Sequence, residues 1–176
     1  MADQISIEIV TPEGRKLAVT ADEVTAPSVD GEFGVLPGHL PFLAALRTGI
    51  VSYRTGGDTK KCAVGPGFAE AGADKLLILT DLYTERDTID PVLVRKELGE
   101  IQAEIAKVEN ATDEDTKSQL DALVKRENWL AAELELYGDP PAATMRPFEQ
   151  YGPPAPPAES EVPVDDGATP PDAGES

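Results

Sequence analysis

Imidazoles and thiolates carry much of the metal and nucleophilic chemistry done near neutral pH. This chain has one residue of each kind, His39 and Cys62. One histidine and one cysteine cannot complete a transition-metal set of standard composition. Cys62 opens the apolar run Cys62-Ala63-Val64, the setting of a buried structural thiol rather than a nucleophile. Ser28 and His39 are near in sequence, but proximity of that kind makes no catalytic dyad. Asp30 and Glu32 form an acidic pair of a sort repeated along the chain, and nothing fixes a substrate between two such carboxylates. No GxGxxG or Walker pattern occurs, so phosphate-cradling loops of those types have no support. These residues favour an interaction protein over an enzyme.

The stretch that remains distinctive is Asp30-Gly-Glu-Phe-Gly-Val-Leu-Pro-Gly-His-Leu-Pro41. Glycine permits positive φ and proline fixes φ, so a regular helix is interrupted here at nearly every turn. The expectation is short extended pieces joined by sharp turns, held by the buried apolar side chains Phe33, Val35, Leu36 and Leu40. Such a segment is either a complex loop on a β domain or an ordered surface that grips another protein.

The elements around it follow from periodicity. Ile5, Ile7 and Ile9 alternate with Ser6, Glu8 and Val10, which predicts a half-buried strand. Leu17, Val19 and Ala21 keep the period of two, and Val24 with Ala26 shifts it, suggesting a bulge there. Phe42–Leu46, Ile50–Arg54, Lys61–Val64, Phe68–Ala71 and Leu76–Leu79 read as further short strands, with Gly56-Gly57-Asp58 as a hairpin turn. Many short strands at close spacing predict an all-β sandwich or barrel over residues 1–84. At Asp90-Pro91 the pattern changes to an N-cap followed by proline at the first helical position. Val94, Leu98, Ile101, Ile105 and Val108 form one stripe of a helix over 90–109. Asn110–Thr116 breaks it, with Thr112 and Asp115 in a capping arrangement. Leu120, Leu123, Leu130, Leu134 and Tyr137 then mark a second helix, with Glu127 the polar exception and Trp129 free to cover its edge or meet the β domain. Residues 85–137 thus predict an antiparallel helical hairpin ended by Gly138. Residues 138–176 hold ten of the 16 prolines, eight acids and one base. They read as a disordered acidic, proline-rich tail, with Met145–Tyr151 as its one candidate docking segment.

Composition bounds the partners. The chain has 33 acidic and 15 basic residues, a net charge of -18. That argues against a nucleic-acid ligand and provides no polybasic lipid anchor. The start, MADQISIEIV, has no basic n-region or long apolar core, so no secretory signal is expected. No stretch approaches the roughly 20 apolar residues of a membrane span, so membrane association is expected only through partners. A single cysteine forms no internal disulfide, which fits a reducing compartment.

DGEFGVLPGHLPFLAAL, with IVTPEG before it and GPGFAE and LLILTDLYTERDTID after it, resembles the epsilon-subunit family of F-type ATP synthases. The resemblance covers roughly residues 3–137. It implies a ten-stranded β-sandwich followed by a helical hairpin, in a central-stalk subunit that binds no cofactor and hydrolyses no ATP itself. It implies the gamma subunit and the membrane c-ring as partners, and transient contact with the alpha and beta subunits. Asp30, Gly31 and Glu32 fall on the ring-facing loop, with Glu32 the strongest assignment. Pro37, Gly38, His39 and Pro41 fall at the gamma interface or in a structural turn beside it. In this family the hairpin can extend along gamma and impede hydrolysis, with basic residues meeting acidic catalytic subunits. Lys117, Lys125 and Arg126 are the candidates here, but seven acids in 113–137 oppose that attraction, so modest regulation is expected. Members that bind ATP on the hairpin carry Ile/Leu-Asp, two residues, then Arg-Ala. Ile89 and Asp90 match, but Leu93 and Val94 replace the last pair, and leucine cannot donate to phosphate. Arg86 and Arg95 flank the region without restoring the spacing. The implied location is the cytoplasmic side of a bacterial inner or plasma membrane, with the chloroplast thylakoid as the alternative. The competing functions are a β-domain adaptor unrelated to ATP synthase, and a carbohydrate-active or hydrolytic enzyme.

Overall fold

The computed structural model describes residues 4–108 and 114–141. Ten strands come first: β1 (Ile5–Thr11), β2 (Gly14–Ala21), β3 (Glu23–Ser28), β4 (Gly31–Val35), β5 (Phe42–Leu46), β6 (Gly49–Thr55), β7 (Asp58–Val64), β8 (Gly67–Ala71), β9 (Lys75–Thr80) and β10 (Tyr83–Glu85). A single 3-10 turn, Arg86–Thr88, leads to two helices, α1 (Pro91–Val108) and α2 (Glu114–Tyr137). The expected tail and its Met145–Tyr151 segment lie outside the described residues, apart from its first positions, as does Thr112 of the expected cap.

The strands hydrogen-bond in the order β10-β7-β6-β3-β5-β8-β9-β1-β2, with β4 beside β3 alone. This path folds over on itself into the expected ten-stranded sandwich. Ile5, Ile7, Ile9, Val24, Val35, Val51, Leu76 and Ile78 fill the core between its layers, each almost fully buried. At roughly 25 cal/mol per Å² of apolar surface removed from water, such side chains supply the main drive for closure. Every strand pair is antiparallel except β1 with β9, which are parallel from Ser6 opposite Lys75 to Val10 opposite Leu79. The Gly56-Gly57 turn has positive φ at both residues, 59° and 91°, and joins Thr55 directly to Asp58. That is the two-residue hairpin geometry whose twist matches its strands.

Two expectations about the strands need correction. The bulge is not at Val24–Ala26, where β3 pairs with β4 in unbroken register. It lies in β1–β2, where Ile9 faces Leu17 but Val10 faces Arg15, leaving Lys16 unmatched. The parity change at Val24 has another cause. The chain bends at Asp22 between two strands, so Ala21 and Val24 both point into the core. The Asp22 amide donates to the Arg54 carbonyl at 2.8 Å and holds that bend. The second correction concerns Leu36 and Leu40, which are exposed, Leu40 to 80%. Only Val35 of the four apolar residues in that stretch is buried, with Phe33 packed against the core edge.

The helices start and stop where local chemistry dictates. Asp90 Oδ1 accepts from the amides of Val92 and Leu93 at 3.0 and 3.3 Å, capping α1. Gly138, at φ 100°, ends α2, and the amides of Gly138 and Asp139 return to the Leu134 carbonyl. The second helix begins earlier than the expected break allows, since Glu114, Asp115 and Thr116 are already helical. Acidic residues in that first turn suit its partial positive charge. Leu98, Leu130 and Leu134 fill the seam between the helices, flanked by Val94 and Ile101. Glu127 is buried in the hairpin, accepting from Gln102 Nε2 at 3.2 Å. A second stripe on α2, Trp129, Ala132 and Leu136, packs with Ala63, Ile50 and Ile89. Trp129 therefore meets the β domain, and α2 covers the outer face of β6 and β7.

Candidate functional site

The two outer faces of the sandwich differ. One carries Ile50 and Ala63 and lies under α2. The other, across β5, β8, β9 and β1, has no covering element among the described residues. Pairing aligns Ala45, Phe68, Leu79 and Val10 into a row across it. Leu43 stands at the next outward position of β5, opposite Glu70. Leu43 is 71% exposed, Phe68 56% and Leu79 48%. Beside this row an open groove of about 590 Å³ is lined by Val10, Pro12, Leu46, Phe68, Leu79 and Thr80, among others. Side chains of this kind on one contiguous surface are a common mark of a protein contact.

Charge at the border of this face is largely cancelled within the chain. Glu8 sits between Lys75 at 3.1 Å and Arg15 at 3.4 Å. The hydrogen bond from Lys75 holds the Glu8 carboxyl below its ordinary range, with Arg15 adding to the effect.

The β3–β4 turn projects close by. Asp30, Gly31 and Glu32 are all exposed, and Gly31 takes φ 123°. The Ser28 hydroxyl donates to the Gly31 carbonyl at 2.7 Å and accepts from the Asp30 amide at 3.2 Å. The Val29 amide donates to the Ala45 carbonyl at 3.0 Å. The base of the acidic turn is thus bonded to the strand that carries Leu43.

The Pro37-Gly38 turn is fixed separately. Gly38 has φ 80°, and its amide donates to the Ala73 carbonyl in the β8–β9 turn at 2.5 Å. His39 Nδ1 donates to the Leu40 carbonyl at 2.8 Å, and its ring leans on Phe42. Pro37 is half-buried and Pro41 exposed. The sequence pointed to these four positions but not to Leu43, Phe68 or Leu79. A signal existed: Leu76–Leu79 is apolar at four consecutive positions, so both faces of β9 are apolar.

The hairpin residues have structural partners. Ile89 packs near Trp129, and Asp90 caps α1. Leu93, which stands at the missing arginine position, is exposed. Arg86 Nε donates to the Tyr137 carbonyl at 3.2 Å and its guanidinium sits over the Tyr137 ring, while Arg95 pairs with Asp139. Arg86 fastens the end of α2 to the turn preceding α1, and Arg95 fastens the residue after α2's capping glycine to the first turns of α1. Lys117 lies 3.6 Å from Glu114 and Lys125 2.5 Å from Asp121. Arg126 bridges to Glu97 of α1 at 2.6 Å, and this hydrogen bond lowers the Glu97 pKa. Cys62 faces the core, where burial pushes its thiol up to about 12, with Glu85 adding to the shift. No described group of three or more His, Cys, Asp or Glu side chains is arranged to hold a metal. No helix among the described residues is long and apolar enough to cross a membrane.

Comparison with known proteins bears on this geometry. Residues 4–85 match the family model for the ATP synthase delta/epsilon chain β-sandwich domain. ATP synthase epsilon chain 2 of Syntrophotalea carbinolica is 38% identical over 65% of this chain and 83% of its own length. The ATP synthase epsilon chain of Geotalea uraniireducens is 37% identical over 61% of this chain and 78% of its own. Among solved structures, a chain of the Euglena gracilis mitochondrial ATP synthase OSCP/F1/c-ring superposes with a TM-score of 0.62. It is 25% identical and covers 74% of this chain and 81% of its own.

Proposed function

The chain belongs to the ATP synthase epsilon-chain family, and from that membership we propose how its surfaces divide the work of a central-stalk subunit. It is a non-catalytic subunit of the F1 sector, with gamma and the c-ring as partners. In this reading the bare face of β5, β8, β9 and β1 seats gamma, and Asp30, Gly31 and Glu32 meet the ring. The observation that carries it is the asymmetry of the sandwich. One outer face is covered by α2 while the other leaves Leu43, Phe68 and Leu79 exposed beside a groove. Burying three such side chains contributes up to about 1.5–3 kcal/mol each before the costs of association, a core to which the surrounding surface must add. Gly31 lets the backbone approach a partner closely, and Glu32 places a carboxylate beside it. His39 serves the turn and the gamma-side surface rather than proton transfer. In this reading the complex holds the chain on the cytoplasmic side of a bacterial inner membrane, and no helix among the described residues is long and apolar enough to cross it.

Crosslinking tests the assignment. Glu32→Cys in the assembled, active complex should give an adduct with the c-ring, and Phe68→Cys one with gamma. At full incorporation, no c-ring adduct at position 32 would overturn the assignment of the tip, and no gamma adduct at position 68 that of the apolar face. The apolar face alone would suit an unrelated adaptor as well, and the family match is what favours the central-stalk reading over the adaptor and hydrolase alternatives.

A further inference from the structure

We propose that Phe42 is a positioning residue that stiffens the ring-facing tip against the gamma-facing strand. The inference rests on the surface assignment above and adds the internal part that joins the two surfaces.

The tip is weakly held by its backbone alone. β4 pairs only with β3, so one of its edges is unpaired. Two of its five residues are glycines, leaving Phe33 and Val35 as its apolar anchors. A ribbon of this kind flexes unless side chains pin it. Phe33 packs edge-to-face on Phe42, with centroids 5.1 Å apart and rings 88° to each other. The His39 ring lies 5.0 Å from Phe42, tilted by 57°. Phe42 therefore receives a ring from the tip strand and a ring from the Pro37-Gly38 turn.

Phe42 is itself fixed at the start of β5, opposite Ala71 of β8. Its neighbour Leu43 points to the opposite side, into the bare apolar face. A sideways load on Glu32 thus has a short side-chain route through Phe33 and Phe42 into β5. The second route is the Val29 amide bond to Ala45 at the base of the turn. Edge-to-face ring pairs add specific orientation to apolar contact, which an aliphatic side chain of similar bulk does not reproduce.

The test uses full-length protein with native Phe42, Phe42→Leu and Phe42→Tyr. In the isolated chain, leucine should speed amide exchange across Glu32–Gly34 about 5- to 10-fold. Amides of Ile7 and Ile78 in the core should not change, and tyrosine should restore the native rates. Unchanged exchange at the tip, or an equal rise throughout the sandwich, would overturn the proposal. In the assembled complex, at equal incorporation, leucine should lower proton pumping per ATP hydrolysed while tyrosine keeps the native ratio. Glu32→Cys in the native-Phe42 background separates the two claims. No ring adduct there defeats the surface assignment. An adduct there with an unchanged pumping ratio in the leucine variant defeats the brace.

Discussion

One added methyl group should have opposite effects at two glycines. A Cβ on Gly67 would lie 1.9 Å from the Leu79 carbonyl oxygen, at the first pair of the β8–β9 ladder, where Gly67 faces Thr80. Backbone cannot yield that distance without breaking the ladder. Gly67→Ala should therefore cost more than about 3 kcal/mol, or abolish folding. Gly99 lies in α1 with nothing within 4 Å of an added Cβ. Gly99→Ala should stabilise by about 0.5–1 kcal/mol, and urea titration of both variants checks the pair. Cys62 gives a pH-dependent effect of known sign. Its folded pKa is raised, so the unfolded chain releases the proton first as pH rises. Stability is fully present below about pH 9 and is lost toward pH 12, and Cys62→Ala should flatten part of that decline in alkaline unfolding curves. Tyr53 and Tyr83, also raised by burial, contribute in the same direction. Individual residues differed in how readable they were. Cys62 and the Asp90 cap follow from their neighbours in sequence. Leu36 and Leu40 do not, because an exposed apolar residue beside a turn reads the same in sequence as one buried in the core.

Among the elements, α2 was the least completely legible. Its Leu130–Leu134 seam was apparent at helical spacing, but its second stripe is carried partly by Ala132, which a search for large apolar residues passes over. Glu127 broke the first stripe on paper, whereas the fold buries it and supplies Gln102 as a donor. Strand existence was legible from alternation, while the misplaced bulge shows that a parity change has two sources. Both a bulge and a bend between strands reset the period, and only pairing distinguishes them. Trp129 is the sole tryptophan, so its emission reports the docking of α2 on β7. Ala63→Asp would place a carboxylate under that ring. Docking should weaken by about 2 kcal/mol or more, with emission shifted to the red. An unshifted spectrum at unchanged stability would contradict the packing described for that face.

At the scale of the whole molecule, the hairpin's basic residues are already engaged by its own acids. Lys117, Lys125 and Arg126 each have an acidic partner within the hairpin. Exposed pairs of this kind are weak singly, yet they leave little surplus positive charge to attract an acidic surface. Full-length protein and protein ending after Asp87, at equal incorporation into the catalytic sector, should therefore differ in ATP hydrolysis by less than about fivefold, the low end of typical coupling between sites. A much larger rise on truncation would show that the hairpin acts as a strong brake through contacts other than charge.

The parallel pairing of β1 with β9 sets a timetable for the chain's synthesis. β1 lies between β2 and β9, so its second edge stays unsatisfied until the segment around Lys75–Leu79 exists. At about 5–20 residues per second, translation needs several seconds to cover that separation. The β1–β2 hairpin must wait through this interval with half of its apolar ladder open. The sandwich can therefore close only after β9 has emerged, and the apolar face built from β5, β8, β9 and β1 forms no earlier.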